Sequence, residues 1–113
     1  MEKSDVDRVQ HMLDAAKKIV EFTQDVQRAD LDRNEMLSLS VVRLIEIIGE
    51  AAKHVSIETR RQYPNVPWRQ ICGMRDRLVH AYYKVDLDVV WGVAARDLPE
   101  TIPELERILG DLK

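Results

Sequence analysis

The chain has 113 residues, which is enough for one domain spanning residues 1–113 and too few for two. Hydrophobic residues make up 45% of it but aromatic residues only 5%, and four glycines and four prolines leave little material for turns. This composition argues against an all-β fold and favours helices around an aliphatic core. A net charge of −3 argues against a general nucleic-acid coat protein.

Two features of the sequence bear on its location. It contains no apolar N-terminal run typical of a signal peptide and no span of about 20 apolar residues that would cross a bilayer. Its single cysteine, Cys72, has no partner for an intrachain disulfide, and we interpret it as a small buried hydrophobic residue. We therefore expect a protein of the reducing cytoplasm, not of a membrane.

Apolar residues recur at intervals of three and four along the first half of the chain, which predicts two long amphipathic helices. The first covers about residues 5–28, and Asp32 is expected to cap the second. The connection between them is short, so the two helices should pack antiparallel. Each also has a second apolar flank, which includes Phe22 and Leu39, so further helices or a second subunit should cover it.

All four prolines lie between Pro64 and Pro103, where breaks in the helices are expected. Residues 56–63 should form a short helix. Pro67 suits the first turn of another helix, predicted to carry residues 68–82 with a bend allowed at Gly73.

Asp86 is expected to cap a last long helix, which Pro99 and Pro103 should kink or restart. Gly49 lies in the middle of the second long helix, where glycine costs roughly 1 kcal/mol relative to alanine. Its small size therefore predicts the close approach of another helix or of a subunit. The predicted fold class is all-α, an up-and-down antiparallel bundle of four to five helices.

Positive charge is concentrated between residues 58 and 84, where six basic residues against two acidic ones give a local charge of +4 and leave −7 for the rest. Such an island suits a focused phosphate site, with a solvated charge run as the alternative. Within it, Arg75 and His80 stand five residues apart. A guanidinium is a fork-shaped phosphate ligand, and an imidazole exchanges protons near neutrality. Together they indicate chemistry on a phosphodiester.

On one straight α-helix Arg75 and His80 would lie roughly 140° apart and would not face one pocket. If Arg75 instead stands at the helix start, after Gly73, its long side chain reaches over the first turn, where unpaired N–H groups favour an anion. The expected site is thus helical and contains no strand. Tyr82, seven residues after Arg75, should lie nearly in line with it. Without Arg75 nearby in the sequence, His80 would be interpreted as a structural histidine.

Several charged residues are candidates for a supporting role. Asp76 can pair with Arg75 or Arg77, and Arg77 is either a second phosphate ligand or a surface ion-pair partner. Glu50 is expected to orient Arg75 or a neighbouring backbone group, and Lys53 to bind phosphate.

Glu46, Glu50 and His54 have the spacing of metal ligands on a bundle helix. A di-metal site also needs Glu-x-x-His partners on facing helices, which the sequence lacks, and its three histidines are isolated from one another in the sequence. We therefore predict neither a metal site nor a cofactor.

The pattern Arg75-x4-His80-x-Tyr82, preceded by Trp68 and Gly73-Met74, resembles the motif of the HEPN ribonucleases, specifically of the HepT-like toxins encoded beside minimal nucleotidyltransferases. The likeness extends to residues 47–52, 64–71, 85–91 and 97–99, and runs from about Ser38 to Leu109. Asp76 is a departure, because the family more often has Asn beside the Arg.

The resemblance implies a HEPN-like, homodimeric toxin that acts as a metal-independent endoribonuclease on RNA, with no DNA substrate. Arg75 and His80 would be its catalytic residues, and a cognate nucleotidyltransferase antitoxin would silence it by adding AMP to Tyr82. RNA carries its own 2′-OH nucleophile, so cleavage needs a base, an acid and positive charge. Two subunits sharing one cleft would supply them.

Two alternatives remain from the sequence alone. The chain can be a catalytically silent nucleotide-binding or adaptor module that uses the same basic cleft, or a purely structural helical dimer. Cleavage of RNA that depends on His80 separates the first interpretation from both alternatives.

Overall fold

A computed structural model describes residues 3–81 and 84–112, with side-chain surroundings for residues 5–78 and 84–112. The fold is an all-α bundle, as predicted. Its centre is a pair of long helices, α1 (Lys3–Phe22) and α3 (Glu35–Lys53), which are joined through the short α2 (Asp30–Arg33) and pack against each other. No helix in this part of the chain is both long and apolar enough to cross a membrane.

The second half of the chain is built from shorter elements. They are α4 (Ile57–Gln62), α5 (Trp68–Cys72), α6 (Met74–Leu78), β1 (Val79–Ala81), β2 (Lys84–Val85), α7 (Leu87–Gly92), a π-helical segment (Val93–Asp97) and α8 (Leu98–Leu112). The two strands pair antiparallel and form a small hairpin beside the bundle.

The core is aliphatic and lies between α1, α3 and α8. Val9 and Ile19 of α1, Ile45 of α3, and Leu105 of α8 are fully buried in one cluster. The predicted second flank of α1 is thus covered mainly by another helix of the same chain. Phe22 belongs to the same flank and is an exception, because it is 42% exposed.

The first helical boundaries differ from the prediction. α1 ends at Phe22, not near residue 28, and Asp25 has a φ of 61°, a left-handed conformation that no continuing helix contains. The cap of α3 is Asn34, whose side chain accepts a hydrogen bond from the Leu37 N–H at 3.0 Å. Asp32 instead lies inside α2, so its predicted role as the cap was wrong.

The helix predicted for residues 68–82 is also shorter than expected. Gly73 separates α5 from α6, which confirms the bend, but α6 ends at Leu78 and the chain continues as β1. Residues 79–85 are rich in β-branched and aromatic side chains, which favour a strand over a helix. The Asp86 N–H donates to the Leu78 carbonyl oxygen at 2.7 Å and closes the base of the hairpin.

The last helical stretch follows the prediction more closely. Asp86 caps α7, since its side chain accepts hydrogen bonds from the N–H groups of Asp88 and Val89. The π-helical segment comes immediately before α8, in which Pro99 is the second residue. Proline collides with the carbonyl four residues earlier, and the wider π turn relieves this conflict.

Gly49 allows α5 to approach the backbone of α3. A Cβ atom at Gly49 would lie 3.2 Å from the Ile71 carbonyl oxygen, which is tighter than an ordinary van der Waals contact. Since Ile71 is a buried residue of α5, the close approach anchors the segment that leads into α6. The helix approach predicted for Gly49 therefore occurs within the chain.

We expect Gly49→Val to lower the free energy of unfolding by about 1–3 kcal/mol, because its branched side chain would meet the α5 backbone. Gly110→Ala in α8 is the matched control, since nothing lies within 4 Å of a Cβ there. It should raise stability by about 0.5–1 kcal/mol. Urea unfolding of both variants tests this, and equal or greater stability of Gly49→Val would contradict the packing argument.

A buried carboxylate ties the start of α1 to the start of α4. Asp5 is 1% exposed and accepts hydrogen bonds from Ser56 N–H at 2.9 Å, Ser56 Oγ at 2.6 Å and Thr59 Oγ1 at 2.6 Å. Burial acts to raise the pKa of Asp5, but the hydrogen bonds from Ser56 and Thr59 outweigh it and hold that pKa below its ordinary value. The network fixes the N-terminal end of α1 beside the C-terminal end of α3.

A lowered pKa means that the Asp5 carboxylate stabilises the fold above its unfolded-state pKa of about 3.9, and that this contribution is lost as pH falls through the folded-state value. Asp5→Asn should therefore destabilise the protein at pH 7 and reduce the loss of stability below about pH 4. Thermal unfolding at several pH values measures both effects. Asp14→Asn, on the exposed side of α1, is the control, and an identical pH profile for Asp5→Asn would refute the assignment.

Candidate functional site

Arg75 is the second residue of α6 and follows Gly73 by two positions, so it stands at the start of a helix as predicted. Met74 and Leu78 of the same helix are buried and hold α6 against the core. The side chain of Arg75 remains 57% exposed. The fold therefore fixes the backbone of Arg75 and leaves its guanidinium accessible to a ligand.

Glu46 of α3 is the carboxylate beside Arg75. Its Oε2 lies 3.4 Å from Arg75 Nε, and its side chain is 29% exposed. An ion pair this open to water contributes at most about 1 kcal/mol. It does, however, engage the Nε side of the guanidinium, and within the described residues the two terminal nitrogens of Arg75 have no partner. These nitrogens are the ones that bind a phosphate as a fork.

Among the described contacts, Glu50, which was predicted to orient Arg75 or a neighbouring backbone group, does not pair with Arg75. Glu50 lies one turn further along α3 and pairs with Lys53, with 3.5 Å between Glu50 Oε1 and Lys53 Nζ. Both side chains are more than half exposed, so the pair is weak and exchangeable with solvent. Glu46 takes the orienting position because it faces α6.

Asp76 and Arg77 lie on the exposed side of α6. Where side chains are described, Asp76 forms no ion pair with Arg75 or Arg77, so the pairing considered from the sequence is absent. The carboxylate that replaces the usual Asn therefore leaves the Arg75 fork unoccupied.

His80 lies on β1, two residues after the end of α6. The expectation of a site without a strand was thus wrong, and the angle calculated for one straight helix does not apply. Tyr82 falls outside the described residues, and so does the side chain of His80. What the backbone establishes is that Arg75 and His80 flank a junction between a helix and a strand.

One member of the basic island has a structural role. Arg60 donates from Nε to the Val55 carbonyl oxygen at 3.1 Å, and from Nη2 to the carbonyl oxygens of Ala52 and Lys53 at 3.0 and 2.9 Å. These carbonyls lie at and just beyond the C-terminal end of α3, where helix carbonyls lack an N–H partner four residues further on. Arg60 is therefore a helix cap and not a candidate phosphate ligand.

The fold also forms a groove that the sequence did not predict. It has a volume of about 280 Å³ and lies between α1 and α3; its lining residues are Arg8, His11, Arg43, Ile47, Glu50, Ala51 and His54. We call it the α1–α3 groove. The two histidines looked isolated in sequence, but the packing of α1 on α3 brings His11 and His54 to one surface. The sequence did contain a signal for this groove, because polar residues recur at intervals of three and four on the outer faces of both helices.

Arg8 gives this groove an unusual feature, because its Nε is buried and has no hydrogen-bond partner in the part of the chain that the structure describes. A buried donor without a partner costs about 1–3 kcal/mol, so an acceptor supplied from outside would be favourable there.

Glu46, Glu50 and His54 do not form a metal site. The two carboxylates engage Arg75 and Lys53 respectively. Across the residues that were described, no group of three or more His, Cys, Asp or Glu side chains is placed to hold a metal ion.

Comparison with known proteins identifies relatives along nearly the whole chain. The family model described as Ribonuclease HepT-like matches residues 12–108. A Thermococcus cleftensis protein named "Probable ribonuclease HepT" is 34% identical over 108 residues, which cover 96% of this chain and 98% of that protein. A Methanocaldococcus jannaschii protein named as a "Putative RNase" is 35% identical over 95 residues, covering 84% of this chain and 87% of that protein. No solved structure matches the chain.

Proposed function

We propose that this chain, which belongs to the HepT-like ribonuclease family of the HEPN superfamily, is a toxin that cleaves RNA as a metal-independent endoribonuclease. The observation that carries the proposal is the Arg75 guanidinium, which is exposed and, among the described residues, is held only through Nε, five residues before His80. It offers a fork for phosphate, and His80 is the nearby residue in the sequence whose side chain can transfer protons.

The proposed reaction uses the 2′-OH of RNA as the nucleophile. A base removes its proton, the 2′-oxygen attacks the adjacent phosphorus, and the 5′-oxygen leaves with a proton from an acid, so that a 2′,3′-cyclic phosphate remains. His80 is the proton-transfer group in this scheme, and Arg75 stabilises the charge that develops on the phosphorane. Glu46 is a positioning residue that holds Arg75 through Nε. Arg77 and Lys53 are further candidate phosphate ligands, both exposed.

A homodimer would supply the second imidazole, because each chain offers one His80. The exposed apolar surface supports this arrangement. Leu39 is 60% exposed and lies seven residues before Glu46 on α3, which places the two on the same side of the helix two turns apart. A second copy packed on Leu39 and the neighbouring Phe22 would therefore face the Arg75 side of the bundle.

We predict that Arg75→Ala and His80→Ala each reduce the rate of RNA cleavage by about 10²-fold or more in a buffer containing EDTA. Purified protein free of nucleotide modification and a labelled RNA provide the assay. Arg33→Ala, a change in an exposed arginine of α2, is the matched control and should cleave normally. Wild-type protein that binds nucleotides but never cleaves RNA would favour the silent binding module instead.

The same two variants test the shared cleft. If the shared cleft uses the imidazole and the guanidinium of both chains, a mixed dimer of one wild-type and one His80→Ala or Arg75→Ala subunit should lose most of the wild-type activity. Sedimentation should show a dimer at micromolar concentration. A monomer with full activity would contradict the two-subunit mechanism while leaving the assignment of Arg75 and His80 to be judged by the single variants.

Silencing is proposed to occur through Tyr82, as in the toxins that the chain resembles. Tyr82 follows His80 by two positions and precedes β2 by two. An attached AMP would bring an anionic phosphate to the terminal nitrogens of Arg75, which hold it by charge-assisted hydrogen bonds. RNA would then be excluded by competition for the same fork.

We therefore predict that co-expression with a cognate minimal nucleotidyltransferase adds one or more AMP groups to the chain, and that Tyr82→Phe removes this modification. Peptide mass spectrometry locates the site. Tyr83→Phe is the matched control and should still be modified. AMP found on Tyr83 or elsewhere would contradict the assignment, and full neutralisation of Tyr82→Phe without modification would point to inhibition by binding alone.

A further inference from the structure

We propose that the α1–α3 groove is a second phosphate-binding subsite, which holds the backbone of an RNA strand away from the bond to be cleaved. This inference rests on the proposed ribonuclease function, but it concerns a different surface from the Arg75 site. Its ligand is a phosphodiester in a single strand of RNA.

The first argument is the hydrogen-bonding state of Arg8. Its Nε is buried, and among the described residues it has no hydrogen-bond partner, although Arg8 lines the groove. A guanidinium has no acceptor atoms, so only an acceptor can satisfy this N–H. A phosphate oxygen is such an acceptor, and it forms charge-assisted hydrogen bonds with guanidinium groups.

The second argument is charge. Arg8 and Arg43 line the groove, and in the described part of the chain neither forms an ion pair. The carboxylate among its lining residues is that of Glu50, whose exposed pair with Lys53 is weak. Two guanidinium charges against one carboxylate leave the lining with a formal charge of +1, which favours an anion. The imidazoles of His11 and His54 add N–H donors at its edges.

The third argument is the size and composition of the groove. About 280 Å³ is below the usual range of pockets that enclose a whole small ligand, but it is ample for one phosphate. Its apolar lining consists of Ile47 and Ala51, and no Phe, Tyr or Trp is among its lining residues. The two guanidinium groups in the lining suit the phosphates of a nucleic-acid backbone better than its bases.

The fourth argument is position. Glu50 lines the groove, and Glu46, which contacts Arg75, precedes it by one turn on the same face of α3. Four residues advance about 6 Å along a helix. The two phosphate-binding surfaces are thus neighbours, and one strand of RNA can occupy both.

The test measures binding of a fluorescent 2′-O-methyl RNA oligonucleotide, which lacks the 2′-OH nucleophile, across a range of salt concentrations. Arg8→Gln/Arg43→Gln should bind about 10–100-fold more weakly, with the slope of log K against log salt reduced by about 0.7 for each phosphate that the variant no longer neutralises. Arg33→Gln/Arg107→Gln removes the same charge from residues that do not line the groove, and should stay within about 2-fold of wild type.

Two further measurements make the result decisive. Arg8→Lys/Arg43→Lys keeps the charge, and it should recover part of the affinity if the fold is intact by circular dichroism. NMR of the Arg8 Nε–H signal should show a shift on addition of the RNA. A shift with inorganic phosphate but none with RNA would mean that the groove binds free phosphate only, and it would overturn the proposal.

Unchanged RNA affinity and salt slope in Arg8→Gln/Arg43→Gln would also overturn it. Because the RNA cannot be cleaved, these results are independent of catalysis. Groove-dependent binding by a protein that never cleaves RNA would support the subsite and refute the ribonuclease function. Cleavage that depends on Arg75, together with unaltered binding in the groove variant, would support the ribonuclease function and refute the subsite.

Discussion

The close contact between α3 and α5 at Gly49 is the constraint on which the position of the candidate site depends. With no side chain at Gly49, the Ile71 carbonyl approaches the backbone of α3 to a distance at which a Cβ would be crowded. α5 is thereby fixed against α3, and the break at Gly73 turns the chain into α6. Arg75 then stands beside Glu46, although 29 positions separate the two residues in the sequence. The absence of a side chain at Gly49 thus helps to fix the position of a candidate catalytic residue.

The sequence predicted those features that depend on local pattern. The periodic stripes of α1 and α3, the cap at Asp86 and the break at Gly73 each arise from residues within a few positions of one another. The place of Arg75 at a helix start was predictable for the same reason. Gly49 was recognised because a glycine inside a helix is unfavourable unless something needs the space.

What the sequence could not predict depends on how the helices are rotated relative to one another. Glu46 and Glu50 are both plausible partners for Arg75 until the packing of α6 on α3 selects Glu46. Arg60 looks like part of a phosphate-binding charge cluster until its three carbonyl partners are seen. The α1–α3 groove is lined by residues of both helices, so the pattern of either helix alone does not predict it. Local competition also decided the end of α6, where strand-forming residues overrode the continuation of a helix.

The hydrogen bond from the Asp86 N–H to the Leu78 carbonyl has a consequence for evolution and engineering. It joins the residues on either side of residues 79–85, so the two ends of this segment are fixed to each other where they meet the helices. Doubling the length of a flexible loop costs only about 0.6 kcal/mol in closure entropy. Residues inserted between the two strands should therefore cost the helices little stability.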